Sequence, residues 1–152
     1  MILFRLSKAA YAKDLTGKGA EKSGGRWNSK GTPMVYTCAN RALCTAEIAV
    51  HTPLGNVPVD YKIITLEIPD RIKINELPVR SLPADWNLFP HPNSTQKLGE
   101  KFVNDNLFLI FKVPSVVVQG EYNYLINPKH KDHKSIKIRS IDPFRFNERL
   151  FK

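Results

Sequence analysis

Short runs in which apolar residues alternate with polar ones, or follow one another, recur along the chain and predict β-strands. The clearest run is 61–68, where Ile64, Leu66 and Ile68 share one face of a strand that Pro69 ends. The strands predicted in this way are residues 2–6, 26–28, 34–37, 61–68, 108–113, 115–119, 122–126 and 136–141.

Apolar residues at helical spacing predict three helices, which are residues 7–15, 40–51 and 94–105. Asn40 is a suitable N-cap for the second helix, because its side chain can accept a hydrogen bond from a free backbone N–H. The third helix carries Leu98 and Phe102 inward at i and i+4. The apolar arc of the second helix consists of Ala42, Leu43, Ala46, Ala49 and Val50.

The order of these elements favours an α+β fold, because helices fill the middle of the chain and strands dominate its end. We expect a single compact domain over residues 1–152, with small, mainly antiparallel sheets and a few flanking helices. The chain has no Gly-x-Gly-x-x-Gly and no Walker motif. Neither a dinucleotide-binding doubly wound fold nor a P-loop is therefore supported.

The composition is that of an ordinary globular protein, with 42% hydrophobic and 24% charged residues. The apolar runs are too short to span a bilayer, and the first residues lack the pattern of a signal peptide. We therefore expect a cytoplasmic protein with no membrane partner. Cys38 and Cys44 lack zinc-type spacing and are expected to be reduced, partly buried thiols.

The net charge is less ordinary, because 23 Lys and Arg against 14 Asp and Glu give +9. Such an excess attracts anions, which include nucleic acids, nucleotides and acidic proteins. Much of it lies in residues 129–139, where five Lys and Arg face one acid, Asp132. A solvated basic loop followed by an edge strand is the simpler explanation of this segment.

Residues 23–28, Ser-Gly-Gly-Arg-Trp-Asn, combine side chains that suit a ligand. The two glycines let the backbone approach a ligand closely, and Arg26 offers a fork of donors for phosphate or carboxylate. Trp27 offers a flat surface on which a ring can stack. The alternative is a structural glycine turn with Trp27 in the core, and the local pattern leaves both interpretations open.

Glu47 falls at the margin of the apolar arc of helix 40–51, and His51 follows one turn later. A carboxylate there is costly unless it is paired or faces a cleft, so Glu47 is either functional or half of a Glu47–His51 surface pair. Tyr36 and Ser115 also have simple alternatives. The first is a half-buried strand tyrosine, and the second a serine bonded to a backbone group.

Metal and triad chemistry find little support. His130 and His133 lie close together, but no further ligand cluster accompanies them, so no metal site is expected. Serine and histidine occur without a nucleophile-elbow motif, so a hydrolase triad is not expected either.

Beyond these separate patterns, an ordered series of motifs runs along most of the chain. It comprises Gly24-Gly25-Arg26-Trp27-Asn28-Ser29-x-Gly31-Thr32-Pro33-x-Val35-Tyr36, Ala46-Glu47-Ile48, His51, Leu82-Pro83-x-Asp85-Trp86, Thr95-Gln96-x-Leu98-Gly99, Val113-Pro114-Ser115 and Glu121-x-Asn123-Tyr124-Leu125-Ile126-Asn127-Pro128-x-His130. This series resembles the RES-domain family, named for an arginine, a glutamate and a serine. Those three residues would be Arg26, Glu47 and Ser115. The chain departs from the usual pattern at Asn147, Arg41 and Cys44.

The resemblance implies a fold similar to ADP-ribosyltransferases and an enzyme that is the toxin of a bacterial type II toxin–antitoxin pair. Its partner would be an Xre-like helix-turn-helix antitoxin. The resemblance also implies that NAD⁺ is consumed as a substrate, by hydrolysis or by phosphorolysis with inorganic phosphate as co-substrate. Some relatives modify proteins with ADP-ribose. No cofactor and no metal are required.

On this resemblance, the residues take roles at the N-glycosidic bond of NAD⁺, which breaks through an oxocarbenium-like state. Glu47 would stabilise the developing charge or orient the ribose hydroxyls, and Ser115 would hold a hydroxyl, the amide or an arginine. The expected catalytic set is Arg26, Tyr36, Glu47 and Ser115, with Tyr36 as the wall for nicotinamide. The expected NAD-binding set is Arg5, Trp27, Asn28 and Asn123.

Other functions stay open. One is transfer of ADP-ribose to a cellular protein, and another is a basic nucleic-acid-binding module. The +9 charge fits the latter, but the charges are not interleaved with aromatic residues, so no direct nucleic-acid binding is expected. A homodimer and a toxin–antitoxin hetero-oligomer are both compatible with the sequence.

Overall fold

One seven-stranded sheet organises the computed structural model, which describes residues 1–152. Its strands are β1 (Ile2–Lys8), β2 (Val35–Cys38), β3 (Tyr61–Glu67), β4 (Ile74–Glu76), β5 (Ile110–Pro114), β6 (Tyr122–Ile126) and β7 (Lys137–Phe144). Their order is β4-β5-β6-β2-β1-β3-β7, and every neighbouring pair is antiparallel except β4 with β5. The predicted α+β class with mainly antiparallel pairing is confirmed.

Three helices accompany the sheet: α1 (Lys18–Ser23), α2 (Arg41–Val50) and α3 (Asn93–Asp105). The prediction of α2 is confirmed together with its cap, because Asn40 Oδ1 accepts a hydrogen bond from Leu43 N–H at 2.7 Å. The prediction of α3 is confirmed as well, and this helix buries Phe102 against β5 and β6. None of the helices combines the length and the apolar character that crossing a membrane requires.

The predicted helix at 7–15 is wrong. β1 continues through Lys8, because all seven of its residues pair with β3, and only one 3-10 turn, Ala9–Tyr11, follows it. A continuous ladder to a buried strand outweighs the helix propensity of a few alanines, because tertiary context overrides propensity.

The predicted strand at 26–28 is also wrong, because these residues form a tight turn after α1. Gly25 N–H donates to Asn28 O at 2.8 Å, and this pair makes an isolated bridge rather than a strand. Neither α1, with six residues, nor β4, with three, was predicted. Elements this short leave too few positions for a periodic pattern to show.

The chain bends at 115–119, where a strand was predicted. Ser115 Oγ accepts hydrogen bonds from Val117 N–H and Val118 N–H, both at 3.1 Å, and this fixes the bend. Because the serine side chain satisfies two backbone donors, the apolar valines leave the sheet here without exposing unpaired N–H groups.

Two core clusters frame the region between α2 and α3. The cluster beneath α2 contains Leu6, Cys38, Leu43, Cys44, Ile63, Phe146 and Phe151. The cluster beneath α3 contains Trp27, Met34, Phe102, Val103, Phe111, Val113 and Leu125. A cavity opens between the two clusters, and it holds the candidate site.

Candidate active site

Glu47 lies on the cavity-facing side of α2, where residues from two strand ends reach it. Glu47 Oε1 accepts a hydrogen bond from Ser115 Oγ at 2.9 Å and one from Asn123 Nδ2 at 2.8 Å. Ser115 follows β5 and Asn123 lies in β6, 68 and 76 positions away from Glu47 along the chain. The fold thus brings together three of the residues that the sequence nominated.

The surroundings of Ser115 restrict its hydroxyl group to this contact. The residue is 4% exposed, and its oxygen already accepts the two backbone N–H groups of the bend after β5. Its one hydroxyl hydrogen is therefore free to donate to Glu47 alone. A hydroxyl oriented in this way holds the carboxylate without needing to move.

The opposite wall of the cavity is the turn that starts at Gly24, whose φ of 70° suits glycine. A Cβ atom at Gly25 would lie 2.7 Å from the Tyr36 hydroxyl oxygen, so glycine is the residue that lets this turn touch the tyrosine. Tyr36 OH donates to Asn28 Oδ1 at 2.7 Å and accepts from Trp27 N–H at 3.1 Å. Burial raises the pKa of Tyr36 well above its usual value, so the phenol stays protonated.

Arg26 holds a loop in place. Its Nη1 donates to the backbone oxygens of Trp86 and Leu88, at 2.7 and 2.9 Å. Burial lowers the pKa of the Arg26 guanidinium, while the nearby Glu47 carboxylate opposes that shift. An arginine stays cationic under such a shift, so Arg26 places one positive charge beside the carboxylate and keeps its other donors available.

The side chains of Trp27 and Asn28 are almost fully buried, although Trp27 borders the cavity, so they have little surface to offer a ligand, in contrast to the expectation from the sequence. Trp27 is 2% exposed, and its ring packs edge-on against Phe111 with centroids 6.2 Å apart. Asn28 is fully buried, and its Nδ2 donates to Ala20 O at 2.8 Å and to Thr32 O at 2.9 Å. Both side chains shape the turn, because its sharp bend sends them into the core.

Helix α3 also contacts the same turn and holds it with hydrogen bonds. Thr95 Oγ1 donates to Arg26 O at 2.7 Å, and Gln96 Nε2 donates to Gly25 O at 3.0 Å. A Cβ atom at Gly99 would lie 1.5 Å from Trp27 O, so the helix touches the turn at a glycine. Reasoning from residue types missed this role. Its only signal was the Thr-Gln-x-Leu-Gly motif within the ordered series.

The cavity has a volume of about 760 Å³, which suits a nucleotide-sized ligand. One carboxylate, Glu47, lies among four basic side chains that line the space: Arg5, Arg26, His51 and His91. Burial lowers the pKa of His91, and the charges of Arg26 and His51 lower it further. The permanent positive charges beside the Glu47 carboxylate are therefore Arg5 and Arg26, whose donors suit a diphosphate.

The rim carries two residues that the sequence did not identify, Phe89 and His91, and one that it did, Arg5. Phe89 is 82% exposed and lines the cavity, as does His91 two positions later. Arg5 lines it too, with Nη1 donating to Tyr11 O at 3.3 Å.

His51 forms no hydrogen bond with Glu47, whose hydrogen-bond partners are Ser115 and Asn123, so the proposed surface pair is not present. No three His, Cys, Asp or Glu side chains gather as a possible metal site.

Known proteins resemble this chain over nearly its whole length. The solved M. tuberculosis MbcT–MbcA toxin–antitoxin complex contains a chain with the same fold, with a TM-score of 0.74 at 18% identity over 99% of this chain and 86% of that one. A protein named Toxin Res from Pseudomonas putida is 35% identical over 99% of this chain and 100% of its own length. A protein named Prs ADP-ribosylating toxin from Sphingobium is 34% identical, covering 93% and 89%. The RES domain model matches residues 2–147. The chain therefore belongs to the RES domain family of toxins.

Proposed function

We propose that this protein cleaves the bond between nicotinamide and ribose in NAD⁺, as the toxin of a toxin–antitoxin system. The observation that carries the proposal is the Glu47 carboxylate, held by Ser115 and Asn123 inside a cavity of nucleotide size. A carboxylate that two donors orient in advance can stabilise a developing cation without rearranging during the reaction.

The free oxygen of Glu47 would act on the reacting ribose. The hydrogen bonds from Ser115 and Asn123 both go to Oε1, which leaves Oε2 available to a ribose hydroxyl or to the cationic anomeric carbon. As the bond breaks, its electron pair leaves with nicotinamide, which becomes neutral, and positive charge moves to the ribose. Water then attacks the anomeric carbon and loses one proton, which gives ADP-ribose; phosphate attack gives ADP-ribose 1″-phosphate.

The remaining parts of NAD⁺ match the basic and aromatic residues around Glu47. The diphosphate would bind among Arg5, Arg26, His51 and His91, whose donors face the cavity that Glu47 shares. Tyr36 would pack beside the nicotinamide near the turn, and Phe89 at the rim would pack against the other base. Trp27 and Asn28 act only through the shape of the turn.

The deciding experiment is incubation of the purified protein with NAD⁺, with and without phosphate, followed by mass spectrometry of the products. We expect release of nicotinamide together with ADP-ribose in water, or with its phosphate when phosphate is the acceptor. The matched control is Glu47→Gln, which keeps the side-chain shape. Intact NAD⁺ after prolonged incubation with the wild-type protein would refute the proposal.

Transfer of ADP-ribose to a protein is the second candidate. The name of the Sphingobium relative, an ADP-ribosylating toxin, favours it. Both reactions break the same bond, so the same site serves either, and only the acceptor differs. NAD⁺ labelled in the adenylate phosphate separates the two: label on a protein band supports transfer, and label confined to small molecules supports NAD⁺ degradation.

An antitoxin is the partner we propose, by analogy with the M. tuberculosis complex and with the Xre-like partner that the family resemblance implies. Val50 and Phe89 line the cavity, and Leu88 is the neighbour of Phe89. All three are apolar and more than half exposed, so they are suited to burial by another chain. Growth arrest on expression of this chain alone, relieved by co-expression of the partner, is the expected result.

A further inference from the structure

A chain of hydrogen bonds continues behind Asn123 to a buried thiol. Cys38, the last residue of β2, is 6% exposed, and its Sγ donates to Asn123 Oδ1 at 3.3 Å. Asn123 Nδ2 in turn donates to Glu47 Oε1 at 2.8 Å. The register of the sheet sets up this contact, because Cys38 and Asn123 are direct partners across β2 and β6.

The two ends of the Asn123 amide have different requirements. An ionised carboxylate only accepts hydrogen bonds, so Glu47 needs the amide nitrogen and not its oxygen. The amide oxygen then points away from Glu47 and towards Cys38, where it needs a donor. If the amide were reversed, its oxygen would face the carboxylate and its N–H₂ would face a weakly accepting sulfur. The S–H group of Cys38 therefore favours the orientation that serves Glu47.

Cys38 is suited to donate at neutral pH. The neighbouring Cys44 thiol and burial raise the pKa of the Cys38 thiol, so its hydrogen remains in place. Cys44 directs its own S–H to Phe4 O at 3.3 Å. The amide oxygen of Asn123 is a stronger acceptor than the Cys44 sulfur, so the Cys38 hydrogen goes to Asn123.

We propose that Cys38 is a positioning residue that fixes the orientation of Asn123 and, through it, the carboxylate of Glu47. This inference rests on the NAD⁺-cleaving function proposed above. Cys38 touches no reacting atom in this scheme, so its loss affects the chemical step through geometry. Cys38 also borders the cavity, but substrate affinity depends on the basic residues and the rim, so we expect KM to change little.

Three substitutions at Cys38 and one at Cys44 test the proposal. Cys38→Ala and Cys38→Val remove the donor, and valine keeps the space filled; each should lower kcat about fivefold, the scale of one hydrogen bond, with KM within about twofold. Cys38→Ser keeps a donor and should retain kcat within about twofold. Cys44→Ala removes an equally buried thiol that does not contact Asn123, and it should leave kcat within about twofold.

A second measurement does not depend on activity. In ¹⁵N NMR spectra, the Asn123 side-chain amide, assigned from its absence in Asn123→Asp, should show slow hydrogen exchange in the wild type and in Cys38→Ser. The exchange should be faster in Cys38→Ala and Cys38→Val. Full kcat in both donor-free variants, or an equal loss in Cys44→Ala, would overturn the inference. If the wild type leaves NAD⁺ intact, the proposed function fails, and the exchange rates still decide whether Cys38 orients Asn123.

Discussion

At the scale of single residues, the site depends on side chains with one hydrogen-bonding arrangement each. Ser115 has two acceptor sites occupied by backbone N–H groups and one hydrogen left for Glu47. Tyr36 donates to Asn28 and accepts from the Trp27 backbone, with the phenol kept neutral by burial. Such groups do not rearrange when charge develops beside them, which is the condition for electrostatic stabilisation.

Glu47→Gln removes the negative charge and keeps an oxygen that Ser115 and Asn123 can still contact. We expect turnover of NAD⁺ to fall by at least about 100-fold, the scale of losing one preorganised electrostatic group, with little change in melting temperature. Initial rates of nicotinamide release measure the effect. A variant that consumes NAD⁺ at nearly the wild-type rate would show that Glu47 has another role.

Gly25→Ala places a methyl group 2.7 Å from the Tyr36 hydroxyl oxygen and 3.0 Å from Asn28 Oδ1. The turn has to shift or the Tyr36–Asn28 hydrogen bond has to break, so we expect a loss of about 1–3 kcal/mol in unfolding free energy and a large drop in activity. Gly19→Ala is the matched control, because no atom lies within 4 Å of its added Cβ. Denaturant unfolding compares the two, and equal stabilities would contradict the proposed contact.

At the scale of elements, the cavity is bounded by one regular helix and one irregular loop. α2 places Glu47 and His51 along one side by its own periodicity. The loop after Trp86 has no such regularity, and the two hydrogen bonds from Arg26 hold it across the mouth. The position of Phe89 therefore depends on a side chain that comes from a different part of the chain.

Phe89→Ala should raise KM for NAD⁺ by about tenfold and leave kcat within about twofold, because ring stacking on a base contributes to binding and not to bond cleavage. The neighbouring Leu88→Ala is the control, since Leu88 is also exposed but does not line the cavity. Steady-state kinetics with NAD⁺ measure both variants. Equal KM values for the two would mean that Phe89 does not contact the substrate.

The longer regular elements could mostly be predicted from the sequence, whereas the short and the irregular ones could not. The apolar arc and the Asn40 cap defined α2, and alternation defined β3, because each has a repeat long enough to recognise. The turn after Gly24 was misassigned, since a local pattern does not tell which side of a sharp bend faces the core. For that reason Trp27 and Asn28 were taken for ligand contacts.

The site itself could be predicted only in part. Local pattern left Arg26, Glu47 and Ser115 ambiguous, and the ordered resemblance nominated all three together. The hydrogen bond between Glu47 and Ser115 spans 68 positions, so no local property of either segment reports it. Phe89 and His91 were missed because an irregular loop has no periodicity that points its side chains towards a cavity. Cys38 was expected only to be a reduced, partly buried thiol, because its contact with Asn123 arises across two strands that are far apart in the sequence.

At the scale of the whole molecule, two groups of basic residues stand out. One group lines the cavity of the candidate site, and a second lies in 129–139 near the end of the chain. In the second group, Asp132 pairs with Arg71 and Arg139 pairs with Glu67, on a loop and on the edge strand β7. Charged residues on an edge strand discourage pairing with other chains, which agrees with the simpler explanation of this segment.

The net charge of +9 predicts that association with an acidic antitoxin depends on salt. Between low and high ionic strength, we expect the association rate constant to fall by about tenfold or more while the dissociation rate changes little. Stopped-flow mixing of the protein with the Xre-like antitoxin that we propose as its partner, at several salt concentrations, measures both rates. An association rate independent of salt would mean that contact rather than charge directs the encounter.

The long separations within the site also govern when activity can first appear during synthesis. Arg26 and Glu47 leave the ribosome early, but the serine and asparagine that hold Glu47 come from β5's end and from β6, well into the second half of the chain. β6 must then insert between β5 and β2 before the carboxylate is fixed. Under the proposed function, a nascent chain therefore cannot cleave NAD⁺ until translation has passed Asn123, and an antitoxin made at the same time can meet each new molecule as it folds.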